Sequence, residues 1–230
     1  MIKPPRQLTL EWPHQASFAP EDFLVAPSNV EALRAVSLWP RWAGRLLLLV
    51  GPEGAGKSHL GSLWAKTSGA AIVNAQTLAG TTGEFAAQNS ALLIEDADRV
   101  GQGEDRLFHL VNAALQNGVW LLLTARSAPE AWALKTPDLL SRLRLAPVVR
   151  LETPDIELTE AVLFKLFSDR QLQVEPHVVA HIALRIERSL GEARRLVDAL
   201  DHEALARGQR VTRAMASQLL QETRPREEAP

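Results

Sequence analysis

No cysteine occurs among the 230 residues, which excludes a disulfide framework and thiolate-held metal and fits a reducing compartment. Positive charge is not in excess either. With 25 Lys+Arg against 27 Asp+Glu the formal charge is −2, so no overall basic field draws the chain onto nucleic acid. No apolar run reaches the roughly 18 residues of a membrane span, and no basic start followed by about 7–15 apolar residues marks a secretory signal. The expectation is a cytoplasmic protein with no membrane attachment. Internal repeats are absent as well. What the chain does have is material for a core, with 46% hydrophobic residues. Its length suits one large domain or a domain with a small companion, since domains cluster at about 100–200 residues.

Residues 1–22 carry Pro4, Pro5, Pro13 and Pro20 and no sustained period, the pattern of a flexible arm. From Phe23 onward short apolar runs alternate with helical patterns: RLLLLV (45–50), AAIVN (70–74), ALLIE (91–95), VWLLLT (119–124) and APVVRL (146–151), with a helical stretch over 104–118. Runs without polar alternation mark strands buried on both faces of a parallel sheet, and strand–helix alternation marks βαβ units. The expected fold class is α/β, a five-stranded parallel core over 23–153. After Leu151 the strands stop, and helical periodicity over 157–171, 177–188 and 190–208 predicts a small helical subdomain over 154–222. The charged, proline-broken end, 223–230, reads as a disordered tail.

Directly after the first strand comes GPEGAGKSHL, which fits G-x-x-x-x-G-K-[ST] as Gly51, Gly54, Gly56, Lys57 and Ser58. Glycines at those places let the backbone fold around an anion with its N–H groups inward, and the following helix adds its positive N-terminal end. Lys57 would reach the β/γ-phosphates and Ser58 would hold Mg²⁺. The candidate contacts for ATP or ADP are Gly51, Gly54, Ala55, Gly56, Lys57, Ser58 and His59. The third strand ends in Glu95 and Asp96; in P-loop ATPases one such carboxylate holds the metal shell and the next positions water. Here Glu comes first, so Glu95 and Asp96 are both metal and catalytic candidates, and which takes the ion is open. Arg142, in PDLLSRLR, is placed to reach a neighbouring subunit's nucleotide as an arginine finger, and Arg194, in GEARRLVDAL, to close onto phosphates from the helical subdomain.

The run FLVAPSN, GPEGAGKSHL, ALLIEDAD, LLLTARSAPEAW, LLSRL and ARRLVDAL resembles the ATPase module of the bacterial replication initiator DnaA, an AAA+ protein, over about residues 18–222. The resemblance implies an AAA+ P-loop NTPase fold, with Arg142 the arginine finger, Arg194 the sensor 2 arginine and FLVAPSN near the adenine. Three departures follow. The initiator continues into a helix-turn-helix domain, whereas this chain ends a few residues beyond Leu220, so that mode of origin reading is not expected. Between Lys57 and Glu95 there is room for little beyond one helix and one strand, where the initiator carries an added helical element that engages DNA. The sensor 1 region has Arg126 in place of the usual acidic residue, so strong intrinsic ATPase activity is not expected.

Within this resemblance RQLTLEW (6–12) is similar to the peptide with which replication regulators bind the sliding clamp: Gln7 for polar contacts, Leu8, Leu10 and Trp12 as apolar anchors. The implied partners are the DNA polymerase sliding clamp and DnaA itself, with DNA engaged only indirectly through the clamp; a homodimer is also admitted. An edge strand is the competing reading of the arm, weakened by the flanking prolines, which lack ladder donors. An autonomous ATPase of the helicase-loader or clamp-loader type is the competing function.

Overall fold

The computed structural model describes residues 23–78 and 83–222, which divide after Thr153 into two compact units. In the first unit, strands β1 (Leu46–Val50), β2 (Ala71–Asn74), β3 (Ala91–Glu95), β4 (Trp120–Ala125) and β5 (Val148–Arg150) form a parallel sheet in the order β2-β3-β4-β1-β5. Every ladder is parallel, with β1 in register against β4 (Leu48 opposite Leu123) and β5 (Leu48 opposite Val148).

The period of two along each strand divides its leucines between two cores. Leu46, Leu48, Leu92, Ile94, Leu121 and Leu123 face helices α4 (Glu104–Gln116) and α5 (Pro137–Arg144). Leu47, Leu49, Leu93 and Leu122 face α1 (Val30–Ser37) and α2 (Lys57–Ser68). This is why the strands read as unbroken apolar runs. Cutting any of the fully buried Leu48, Leu49, Leu121 or Leu122 to alanine costs about 2–5 kcal/mol.

The expectation of burial on both faces holds for β1, β3 and β4 and fails at the sheet's edges, where Ile72 of β2 and Val148 of β5 are exposed. An edge strand has a neighbour on one side only, and β5 shortens to three residues. Between β2 and β3 the chain finds room for one more short helix, α3 (Gly83–Ala87), which buries Ala86.

The second unit is helical: α6 (Ile156–Asp169), α7 (Pro176–Ala183), α8 (Leu190–Arg207) and α9 (Arg213–Glu222), around a core of Leu163, Phe167, Val179, Ile182, Val197 and Leu200. Local chemistry sets the ends. Asp155 Oδ1 accepts the Leu158 N–H at 2.7 Å, Ser189 Oγ accepts the Glu192 N–H at 3.3 Å, and Gly208 closes α8 in the left-handed region at φ 59°. The helix expected over 177–188 stops at Ala183. The N–H groups of Arg185 and Ile186 both turn back to the Ile182 carbonyl, which leaves Ser189 extended to cap α8.

Candidate functional site

The C-terminal ends of β1, β3 and β4 meet at one end of the sheet, where open α/β sheets bind ligands. The loop Gly51–Gly56 leaves β1 there, and its glycines have separate reasons. Gly54 and Gly56 take φ of 74° and 102°, and a Cβ on Gly51 would lie 2.4 Å from the Leu151 carbonyl oxygen. Ala55 is buried and its N–H donates to the Pro52 carbonyl. Lys57 opens α2 and is only 8% exposed, its ammonium donating to the carbonyls of Gly51 (2.7 Å) and Pro52 (2.8 Å). Burial holds its pKa below the usual lysine value, against the opposing pull of Asp96, Asp98 and Glu53. Helix α2 has no side-chain cap and no acidic residue in its first turn, so its leading N–H groups face an incoming anion without competition.

Ser58 lies beside Glu95, close enough for its hydroxyl to draw the carboxyl's pKa down, although the two lie on different elements. Glu95 Oε1 is enclosed with no hydrogen-bond partner among the described residues. Burial pushes the Glu95 carboxyl up, the Ser58 bond draws it down and neighbouring Asp96 pushes it up again. Asp96 turns away through a left-handed backbone (φ 53°): its N–H donates to Thr124 Oγ1 at 3.1 Å and its carboxylate accepts from Asn74 Nδ2 at 3.4 Å. These residues fit a Mg²⁺ ion, which is held by one or two carboxylates and otherwise by waters and phosphate oxygens. Ser58 and the unpartnered Glu95 oxygen would be its protein ligands.

Sequence reasoning missed the polar groups that brace this end. Thr124, buried at the close of apolar β4, positions Asp96; its signal was the single hydroxyl ending WLLLT. Arg126 pairs with Asp98 at 2.6 Å, a carboxylate whose side chain is 5% exposed, and Arg99 pairs with Glu53 of the phosphate loop at 3.0 Å. The segment FLVAPSN folds into a clip: Asn29 Oδ1 accepts the Ala26 N–H and its amide donates to the Leu24 carbonyl. This clip brings the Phe23 ring edge-on to His59, centroids 5.3 Å apart.

Arg142 projects from α5, exposed, and its side chain makes no hydrogen bond or ion pair with the described residues. Helix α5 is held from outside: the Glu104 carboxylate, on α4, accepts the N–H groups of Lys135 (3.1 Å) and Thr136 (2.5 Å), while Thr136, the helix's own N-cap, makes no side-chain cap bond. Arg194 lies half-buried on α8 of the helical unit. Gln7, Leu8, Leu10 and Trp12 lie outside the described residues.

A phosphate loop on the first strand, a carboxylate pair on the third and a buried hydroxyl ending the fourth, on a five-stranded parallel sheet, define the α/β fold of an AAA+ domain. Domain III of the Thermotoga maritima replication initiation protein DnaA superposes with a TM-score of 0.76 over 92% of this chain and 98% of that one, at 21% identity. A structure of the replication initiator DnaA bound to AMPPCP and single-stranded DNA matches at a TM-score of 0.66 and 18% identity, over 82% of this chain and 66% of that one. In sequence, the chain is 30% identical over 112 residues to the chromosomal replication initiator protein DnaA of Bacteroides thetaiotaomicron, covering 47% of this chain and 24% of that protein. It spans about a quarter of the length of the curated relatives it matches. No family model matches the chain. What is shared is the fold of the DnaA AAA+ domain, at low identity. No helix among the described residues is long and apolar enough to cross a membrane.

Proposed function

We propose that this chain binds ATP or ADP with Mg²⁺ and acts as a regulator of replication initiation, promoting hydrolysis of ATP held by DnaA rather than running a cycle of its own. The observation that carries the nucleotide reading is the convergence of Lys57, Ser58 and Glu95, with Ser58 beside a carboxylate that keeps one enclosed oxygen unpartnered. The backbone of Gly51, Gly54, Ala55 and Gly56 would cradle the phosphates, and His59 beside Phe23 would border the base. Ser58 and Glu95 would hold the ion, with Asp96, aimed by Thr124 and Asn74, beside them. By the resemblance Arg194, on the helical unit, is a further phosphate-contact candidate.

The regulatory part rests on resemblance to Hda, a DnaA-related protein that begins with a short clamp-binding peptide. Two features of the core unit support it. Arg142 is exposed and unengaged on a helix fixed at its N-terminus, and Leu145, 86% exposed, follows within one turn. Such a pair suits insertion into a neighbouring subunit, where an arginine finger is worth about 10³–10⁵ in rate. Gln7, Leu8, Leu10 and Trp12 would tether the chain to the sliding clamp on DNA, raising its effective concentration near the initiator.

The test is hydrolysis of DnaA-bound ATP with and without this chain, DNA and loaded clamp. Stimulation should require all of them and vanish in Arg142→Ala, with clamp retention unchanged. Normal stimulation by that variant sinks the finger assignment, and fast turnover by the purified chain alone makes it an autonomous ATPase.

A further inference from the structure

Four of the six tryptophans gather at the end of the core unit opposite the phosphate loop, where β1 and β4 begin. Trp42 stacks on buried Trp64 with centroids 5.4 Å apart, and Trp39 meets Trp64 and Trp120 edge-on at 6.4 Å. The Arg45 guanidinium lies 4.5 Å over the Trp120 ring. Beside them Leu38 is 47% exposed, and Arg41 is exposed with no hydrogen bond or ion pair from its side chain among the described residues.

Charge at this end has one sign. The segments that lead into the strands here, 37–46, 64–71, 88–91, 114–120 and 144–148, contain no aspartate or glutamate. Packing alone does not account for the choice of residues. The indole N–H groups of Trp39 and Trp64 are enclosed with no acceptor among the described residues, whereas phenylalanine would fill such a site without stranding a donor. Tryptophan and arginine are among the residue types that dominate binding hot spots, and exposed Leu38 adds apolar surface beside them.

We propose that this end of the core docks an acidic, leucine-bearing segment of a partner protein, its carboxylates on Arg41 and Arg45 and its apolar side chains on Leu38 and Trp42. Guanidinium–carboxylate pairs supply the strong polar contacts and set the sign of the partner. Single-stranded nucleic acid is the poorer fit, since it binds by stacking bases on open aromatic faces. Here one face of Trp42 is spent on Trp64 and one face of Trp120 on Arg45.

The experiment uses the full chain and three fluorescein-labelled probes: a short peptide alternating glutamate and leucine, its lysine–leucine counterpart, and oligothymidylate. Fluorescence anisotropy should show the acidic peptide binding, more weakly as salt rises, and the basic peptide not. Arg41→Glu and Leu38→Asp, both at exposed side chains, should each weaken it roughly tenfold or more with melting temperature and nucleotide retention unchanged. The proposal is overturned if the acidic peptide does not bind, or if neither substitution weakens it. Tighter oligothymidylate binding lost in Arg41→Glu would make this a nucleic-acid surface instead. Self-association of the chain lost in Leu38→Asp would make the occupant a second copy.

Discussion

Glu104 offers the sharpest quantitative test, because one carboxylate fixes the N-terminus of the helix that carries Arg142. Glu104→Ala removes the acceptor for the N–H groups of Lys135 and Thr136 and leaves α5 with no side-chain cap. Loss of a cap costs about 0.5–2 kcal/mol, and the bonds here are charge-assisted. The site borders solvent, so screening holds the expected loss near 1 kcal/mol. For a chain of this size that lowers the melting temperature by about 2–4 °C. Glu104→Gln keeps one carbonyl acceptor and should lose about half as much.

The pH dependence has a definite sign. Burial pushes the Glu104 carboxyl up, but the N–H groups of Lys135 and Thr136 outweigh it and hold the folded value below the ordinary one. Its stabilisation is therefore complete above the unfolded carboxylate value and lost as pH falls through the folded one. The gap between wild type and Glu104→Ala, measured by calorimetry, should be full at neutral pH and close in acid. Amide exchange over 137–144 should quicken in the alanine variant. An unchanged melting temperature, or a gap that persists below the folded value, would refute the role given to this carboxylate.

Lys57→Ala should abolish nucleotide retention on gel filtration. Because burial depresses the lysine and a phosphate favours its charged form, wild-type affinity for ADP should fall as pH rises through the lowered value, with proton uptake visible by calorimetry in buffers of different ionisation enthalpy. Glu95→Gln should cost the Mg²⁺ dependence of nucleotide affinity. In wild type that dependence should strengthen as pH rises through the raised Glu95 value, since the ion needs the carboxylate. Gln7→Ala with Leu8→Ala should end clamp pull-down while melting temperature and nucleotide binding stay put, and a large loss of stability would instead make the arm part of the fold.

The sequence by itself determined what depends on neighbours along the chain. Apolar runs without alternation announced buried parallel strands, because a central strand must be apolar on both faces, and the sheet has them at β1, β3 and β4. The glycine spacing of GPEGAGKS announced a tight loop after β1, because positive φ and close backbone approach are local demands that glycine meets, as at Gly54 and Gly56.

Tertiary structure decided whatever depends on where separate segments meet. The order Glu95 then Asp96 does not say how the two carboxylates diverge; strand register, with the left-handed turn at Asp96, leaves one beside Ser58 and sends the other to Asn74. Arg126 read as a departure from a family pattern, yet in the fold it neutralises the nearly buried Asp98, a partner on another strand's loop. Glu104 read as the start of a helix, and nothing in the spacing of Trp39, Trp42, Trp64 and Trp120 along the chain brings them together. The first became a cap for α5 and the others one cluster, because a side chain's role is set by what the sheet order brings within a few ångströms of it, and spacing along the chain does not encode that order.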